Sequence, residues 1–532
     1  MRNSTYASQA EGSAVCHNPA FDLVGARQSD TKLAARLSIC SRSPVSFVML
    51  APPGLPGAIA MIKTFGPFVF ALLSGIAGAQ DKSSDYTQEY QLKALEIYAH
   101  SISLRTAEGH GLVPIMAEYL AGQFAAGGFP ASDIHVLPFT ARNGEQIAGL
   151  VVRYRGDGSS GKKPIALMAH MDVVDALPED WERDPFTLIE ENGYFFGRGS
   201  YDDKFGTTML TTTFLRLKQE GFVPTRDLII IFTGDEETGM RSTRELVNTH
   251  RDLTNAEFIL NADAGGGVLD AAGKPKAYNL QAAEKTFATF EITVRNPGGH
   301  SSMPRRDNAI YDLARALRNM EQHRFPVRTN EVTLQYFAQT AEVTEGPAGE
   351  AMRRIYHNPG DKEAATILFD DPFLVGITRT TCIPTMLRGG HAENALPQSA
   401  TATINCRIFP GIDIEEIQQT LSNVADSDAV EIAVLDDPLA SPASELREDV
   451  MYAIAKAVHT HYPDIPIVPY MSAYGTDGKE TRAAGLPTYG VMGLFLKPED
   501  DFSHGLNERV PVRSFYTALE HWYVIINELA GS

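Results

Sequence analysis

An apolar run, Ile165 to Met168, stops at His170, and Asp172 follows two residues on. The stretch reads PIALMAHMDVV over residues 164–174. A short run that is apolar throughout, rather than alternating, belongs to a strand covered on both faces, as in a parallel sheet between helical layers. Open sheets of that kind bind their ligands just outside the carboxyl ends of the strands. Residues two apart share a strand face, so His170 and Asp172 can touch if the strand continues. A carboxylate behind an imidazole fixes its tautomer and raises its basicity, as the partners of metal-bound histidines do. A core histidine beside a solvated aspartate would give the same three letters, so residues further along the chain must decide between the two.

The same design recurs. Leu228 to Thr233 is a second apolar, strand-like run, and it ends in GDEETG with Asp235, Glu236 and Glu237 in succession. Three acids at a strand end repel one another unless a cation or solvent intervenes. Phe258 to Leu260 leads into Asn261-Ala262-Asp263. Between these runs lies GRGSYDDKFG, Gly197 to Gly206, where glycines flank Asp202 and Asp203 before a helix-like run, Thr207 to Glu220. Glycines permit a tight turn that aims a carboxylate into a cleft, although Asp is also favoured at any helix start. Late in the chain DFSHGLNE, Asp501 to Glu508, sets His504 between small residues. Histidines with Asp and Glu, and no Cys, suit zinc in a hydrolytic site, with manganese or cobalt as substitutes. A carboxylate bridging two metals about 3.5–4 Å apart is the usual device of dinuclear hydrolases.

With 532 residues the chain is too long for one core, so at least two domains are expected. Strands alternating with helices, among them Ser84 to Ser101 and Val113 to Ala125, predict a layered α/β domain. The formal net charge of −20 argues against nucleic acid or an anionic membrane surface as partner. MIKTFGPFVFALLSGIAGAQ, from Met61, has a lysine, an apolar core and an Ala-Gly-Ala cleavage site, the layout of a secretory signal. The expectation is that Met61 is the true start, that residues 1–60 are a non-native extension, and that the mature chain, secreted or periplasmic, begins near Gln80 with no membrane attachment after cleavage. Of four cysteines, Cys382 and Cys406 follow the signal, in strand-like segments flanking HAENALP. They are too few for a disulfide framework; one bridge and two buried thiols are both open.

Taken together and in this order, the motifs resemble the dizinc exopeptidase family of glutamate carboxypeptidase, succinyl-diaminopimelate desuccinylase, aminoacylase and carboxypeptidase S. The resemblance covers essentially all of the mature chain. It implies that His170 binds one zinc and Asp172 orients it. Asp202 would bridge both metals, Asp263 would complete the first, and Glu237 and His504 would hold the second. Glu236 would be the general base. The family's GRGxxDxKG is interrupted here by Phe205, between Lys204 and Gly206.

Between Lys285 and about Asp437 the sequence reads as an insertion. Phe287 to Val294 alternates like a strand, Asp307 to Gln322 reads as a helix, and Glu345 to Asp370 reads as irregular. Gly376 to Leu387 and Ala400 to Phe409 read as strands, and Asp413 to Val424 as a helix. The expected fold is therefore α/β: a mixed-sheet α/β/α catalytic domain over 80–284 and 438–532, with an inserted α+β lid at 285–437. In the family that lid often serves dimerisation, which leaves a homodimer open. The resemblance makes His300, in PGGHSSMP, a donor to the developing oxyanion, supplied in dimeric relatives by the partner chain. It makes Arg407 a clamp on a substrate's free α-carboxylate, Gly475 and Thr476 the loop that meets the same carboxylate, and Asn394 a further substrate contact. The implied activity is hydrolysis of small peptides or N-acyl amino acids with two zinc ions. An aminopeptidase-like member and a metal-free scaffold are the alternatives, and a scaffold has little use for clustered acids that repel one another.

Overall fold

The structure, a computed structural model, describes residues 82–532. Among these, ten strands form the main sheet. Its centre runs Leu228–Thr233, Ile165–His170, Phe258–Asn261 and Thr488–Gly490, all parallel. Gln146–Tyr154 and Ile134–Thr140 extend one edge antiparallel. Along the central strands successive side chains enter different cores. Ile165, Leu167 and Ala169 join Leu228, Ile230 and Phe232 on one face. Ala166 and Met168 join Ile229 and Ile231 on the other. Helices Lys82–Ser103, Val113–Ala126, Lys204–Gln219 and Val512–Ala530 cover the first face through Ile97, Met116, Phe214 and Trp522. Arg241–Asn248 covers the second through Leu246 and Val247. Both faces being buried is why these strands lack alternation, and each such Leu or Ile contributes about 1.5–3 kcal/mol.

A second sheet, Thr381–Gly389, Ser399–Ile408, Thr286–Arg295 and Val430–Leu435 in that order, is wholly antiparallel. Helices Ala309–Gln322 and Ile414–Ala425 lie on one face, where Leu313, Ile417 and Leu421 pack with Phe290, Ile292 and Ile404. The opposite face carries Phe287 and Arg407, so these strands alternate as a one-sided sheet does. The expected mixed α/β fold with an inserted α+β layer is the one observed. Cys382 and Cys406 stand opposite each other in the register and are disulfide-bonded, which selects the bridge over two thiols.

Residues 345–370, expected to be irregular, are helical. Gly346–His357 and Lys362–Phe369 pack with Glu331–Thr340 and Pro372–Thr378 around Phe337, Met352, Ile355 and Leu368. The strand expected from Gly376 begins only at Thr381, since Gly376 to Thr378 end a helix. Proline misleads here: Pro347 occupies the first turn of its helix, where its missing N–H costs nothing. The non-native extension and the signal segment expected at 1–79 lie outside the described residues. No helix among the described residues is long and apolar enough to cross a membrane.

Candidate metal centre and substrate cleft

Three neighbouring parallel strands end together, and each delivers an acid or an imidazole. His170 closes Ile165–His170, Glu236 and Glu237 follow Leu228–Thr233, and Asp263 follows Phe258–Asn261. His170 Nε2 lies 2.8 Å from Asp202 Oδ1 and 3.6 Å from Asp263 Oδ1. His504 Nε2 lies 3.1 Å from Asp202 Oδ2 and 3.1 Å from the Glu237 carboxylate. Asp202 thus turns one oxygen to each histidine. Donor atoms of His170, Asp202 and Asp263 lie within 4.8 Å of one another, and so do those of Asp202, Glu237 and His504. His170, Glu236 and Glu237 form a third such group. Two adjoining nitrogen-and-oxygen pockets sharing one carboxylate are the donor set that a pair of divalent cations requires.

The surroundings hold these donors in place. The strand stops at His170, so Asp172 does not lie along the same face as expected. Instead His170 Nδ1 bonds the main-chain oxygen of Asp172 at 3.0 Å, and the Asp172 carboxylate stands 3.5 Å off. That carboxylate accepts the amide N–H groups of Glu236 and Glu237 at 3.1 and 3.0 Å. Asp172 therefore orients the paired glutamates as well as the imidazole. Asp203 turns away from the histidine rings, accepting the amides of Gly206 at 3.0 Å and His170 at 3.2 Å, and caps helix Lys204–Gln219. Asp235, the first of the three successive acids, caps the next helix by accepting Arg241 and Ser242 N–H groups at 2.8 and 2.9 Å.

Glu508 was not singled out by the sequence reading. It is fully buried, pairs with Arg198, and accepts the amides of Tyr201 and Asp202 at 2.7 and 3.1 Å. It thereby fixes the loop that presents Asp202. Its only sequence signal is that it closes the segment carrying His504.

Burial and mutual charge set the electrostatics of the cluster. Burial, then the charge of Asp263, pushes Glu236 well above the usual carboxylate range. Burial also raises Glu237 and takes Asp263 to about 7. Burial acts on Asp202 in the same sense, but its bonds to His170 and His504 win and hold it low. His504, bonded to Asp202 and Glu237, is pushed up to about 10. Metal binding at donors of this kind is coupled to proton release, because a ligating imidazole must be neutral and a ligating carboxylate ionised.

Beside the cluster a cleft of about 370 Å³ runs from Glu236 and Glu237 to Arg407 and Gly475. The Arg407 guanidinium lies 4.7 Å over the Phe287 ring and donates to the Ala473 carbonyl at 2.8 Å. Among the described residues it faces no carboxylate partner, and burial holds its pKa below the ordinary value. Lys479, not singled out by the sequence reading, lines the same cleft. Thr476 is buried, its amide and hydroxyl both given to Glu284 at 2.9 and 2.6 Å, so it stabilises the turn that exposes Gly475. His300 and Asn394 are not brought to this cleft. They sit together on the two-stranded ladder Gly299–His300 with Ala395–Leu396, where Ser301 N–H donates to the Asn394 carbonyl. His300 is exposed, and its Nδ1 accepts Ser302 N–H at 3.1 Å, which leaves the proton on Nε2 as an outward donor.

Residues 166–528 match the family model described as Peptidase family M20/M25/M40. The N-fatty-acyl-amino acid synthase/hydrolase PM20D1 of Xenopus tropicalis is 30% identical over 373 residues, 68% of this chain and 72% of that protein. The probable carboxypeptidase S-like 2 of Dictyostelium discoideum is 27% identical over 390 residues, 71% of this chain and 73% of that one. Among solved structures, the M20 family metallo-carboxypeptidase Sso-CP2 of Sulfolobus solfataricus shares the fold with a TM-score of 0.59. That likeness holds at 18% identity over 82% of this chain and 98% of that one.

Proposed function

The chain belongs to peptidase family M20/M25/M40, whose members are metallohydrolases of amide bonds, and we propose that it releases amino acids bearing a free α-carboxylate from small peptides or N-acyl amino acids. The observation that carries this reading is Arg407, a guanidinium without a carboxylate partner among the described residues, in one cleft with Glu236. Its planar fork matches a carboxylate in two-pronged fashion. The metal pair would be zinc, with His170, Asp202 and Asp263 to hold one ion and Asp202, Glu237 and His504 to hold the other. Zinc in such a site lowers the pKa of water to roughly 7 and polarises a carbonyl oxygen. Arg407 fixes the amino-acid end of the substrate and sets the scissile amide beside Glu236. Glu236 removes the proton of the attacking water and returns it to the departing nitrogen. The Cys382–Cys406 bridge supports a secreted or periplasmic protein, since such bridges persist in oxidising compartments.

The test compares kcat/KM for a dipeptide with that for its C-terminal amide. Wild-type enzyme is expected to prefer the free acid strongly, because the amide offers the half-buried Arg407 no charge to pair with. Arg407→Ala is expected to lose most of that preference by becoming poor on the acid, and Arg407→Lys to recover only part. Equal rates for acid and amide with wild type would favour an aminopeptidase-like activity.

His300 bears on the homodimer. Its free Nε2–H suits an oxyanion donor, but within one chain it stands outside the cleft, so we propose that a second copy supplies it. His300→Ala is then expected to lower kcat by about 10²–10³-fold with metal content unchanged. Mixing that variant with a Glu236→Gln chain should restore activity, because mixed dimers contain one intact site. Normal kcat in His300→Ala would assign the residue a structural role.

A further inference from the structure

We propose that the cavity between the helical insert and helices Ala309–Gln322 and Ile414–Ala425 binds a fatty carboxylate, an alkyl chain ending in a carboxyl group. The cavity holds about 630 Å³, within the range of small-molecule sites, and shares no lining residue with the catalytic cleft. Its walls are apolar: Leu317, Phe325, Val375 and Leu421 line it.

Its polar groups are donors without an acceptor of matching charge. The guanidinium groups of Arg324 and Arg379 both lie on the Phe369 ring, 4.2 and 4.9 Å from its centre. Arg379 is only 7% exposed, and its N–H groups reach neutral oxygens alone, those of Thr378, Phe325 and Ala365, at 3.3–3.5 Å. Arg324 donates to the main-chain oxygens of Glu321 and His323 at 3.0 and 3.4 Å. Among the described residues neither arginine pairs with a carboxylate. The one acid of the lining, Glu321, is exposed and meets Arg324 through its carbonyl. His323 Nε2, also in the lining, is buried without a hydrogen-bond partner.

Around one aromatic ring stand a buried guanidinium, Arg379, and an orphan imidazole nitrogen, both costly to bury unless an anion meets them, with the exposed guanidinium of Arg324 beside them. A carboxylate is the anion whose geometry fits a guanidinium fork. The apolar walls beyond it require that the rest of the ligand be a chain free of polar groups. Burial, followed by the proximity of Arg324, holds the Arg379 guanidinium below its ordinary pKa, in keeping with a charge that awaits its partner.

The experiment titrates the metal-loaded protein calorimetrically with sodium decanoate, 1-decanol and decyltrimethylammonium. Decanoate is expected to bind, the alcohol about tenfold or more weaker, and the cation not at all, since hydrogen bonds to charged groups are the strong ones. Arg324→Glu reverses an exposed charge and Leu317→Trp fills the cavity, so both should retain the fold where Arg379→Gln could lose it. Both are expected to weaken decanoate about tenfold or more while kcat/KM on a dipeptide stays at the wild-type value. Failure of wild type to bind decanoate, equal binding of acid and alcohol, or decanoate binding unchanged in both variants would overturn the proposal. So would light scattering showing that Arg324→Glu splits an assembly without affecting decanoate, because the surface would then be covered by a second copy.

Discussion

Glu236→Gln is expected to retain a full complement of metal and to lose about 10²–10⁴-fold in kcat. The substitution keeps shape and volume, and it leaves the amide of residue 236 in the hands of Asp172, so the turn that presents Glu237 is undisturbed. Asp202, Asp263, His170, Glu237 and His504 supply the donor atoms without it. What disappears is a carboxylate that can take a proton. The Glu236 side chain makes no hydrogen bond among the described residues, whereas Asp172, Asp203 and Asp235 are each occupied as acceptors. Its carboxylate is therefore not committed to a structural hydrogen bond. Metal content by mass spectrometry, read beside kcat on a dipeptide, separates the effects. Wild-type turnover with both metals bound would place the base elsewhere. Loss of metal together with turnover would make Glu236 a ligand instead.

How much of this was legible in the sequence depended on how locally each feature is encoded. The central strands declared themselves because burial on both faces leaves an unbroken apolar run, and His170, Glu236 and Asp263 follow those runs within a few residues. Strand ends meeting in space needed only the parallel order to become a cluster. The helical insert was missed because Pro347 and the Pro359-Gly360 pair read as loop punctuation, although one starts a helix and the other follows one. Glu508 could not be found by spacing, since the amides it holds lie 306 and 307 residues away. The pair Arg324 and Arg379 was equally hidden: nothing in the sequence announces that two arginines 55 positions apart stack on Phe369. The family resemblance supplied Arg407, His300 and Asn394. The cleft contains only the first of these, because the ladder bearing the other two stands apart within a single chain.

Adjacent aspartates should fail in different ways, and this is the sharpest check on the register of the site. Asp202→Ala is expected to empty both metal positions and abolish turnover while leaving thermal stability near that of metal-stripped wild type. Its two oxygens contact His170 and His504, so one truncation takes a donor from each pocket at once. Losing even a supporting partner of a metal ligand costs about 10–100-fold in affinity, and a shared ligand should cost more. Among the described residues only the two histidines bond that side chain, and the backbone around it is held by Glu508 instead. Asp203→Ala should do the opposite. Its carboxylate is wholly buried and takes the Gly206 and His170 amides, so the substitution leaves a helix uncapped and a buried N–H without an acceptor. A lost cap costs about 0.5–2 kcal/mol and an orphaned buried donor about 1–3 kcal/mol. Protein that folds at low temperature should still bind metal, because Asp202 and the histidines are intact, and should unfold earlier on heating. Metal analysis paired with thermal denaturation of both variants distinguishes the roles. If Asp203→Ala proved empty and stable while Asp202→Ala proved filled and unstable, the shared ligand would be Asp203, and the assignment of the centre would move by one residue.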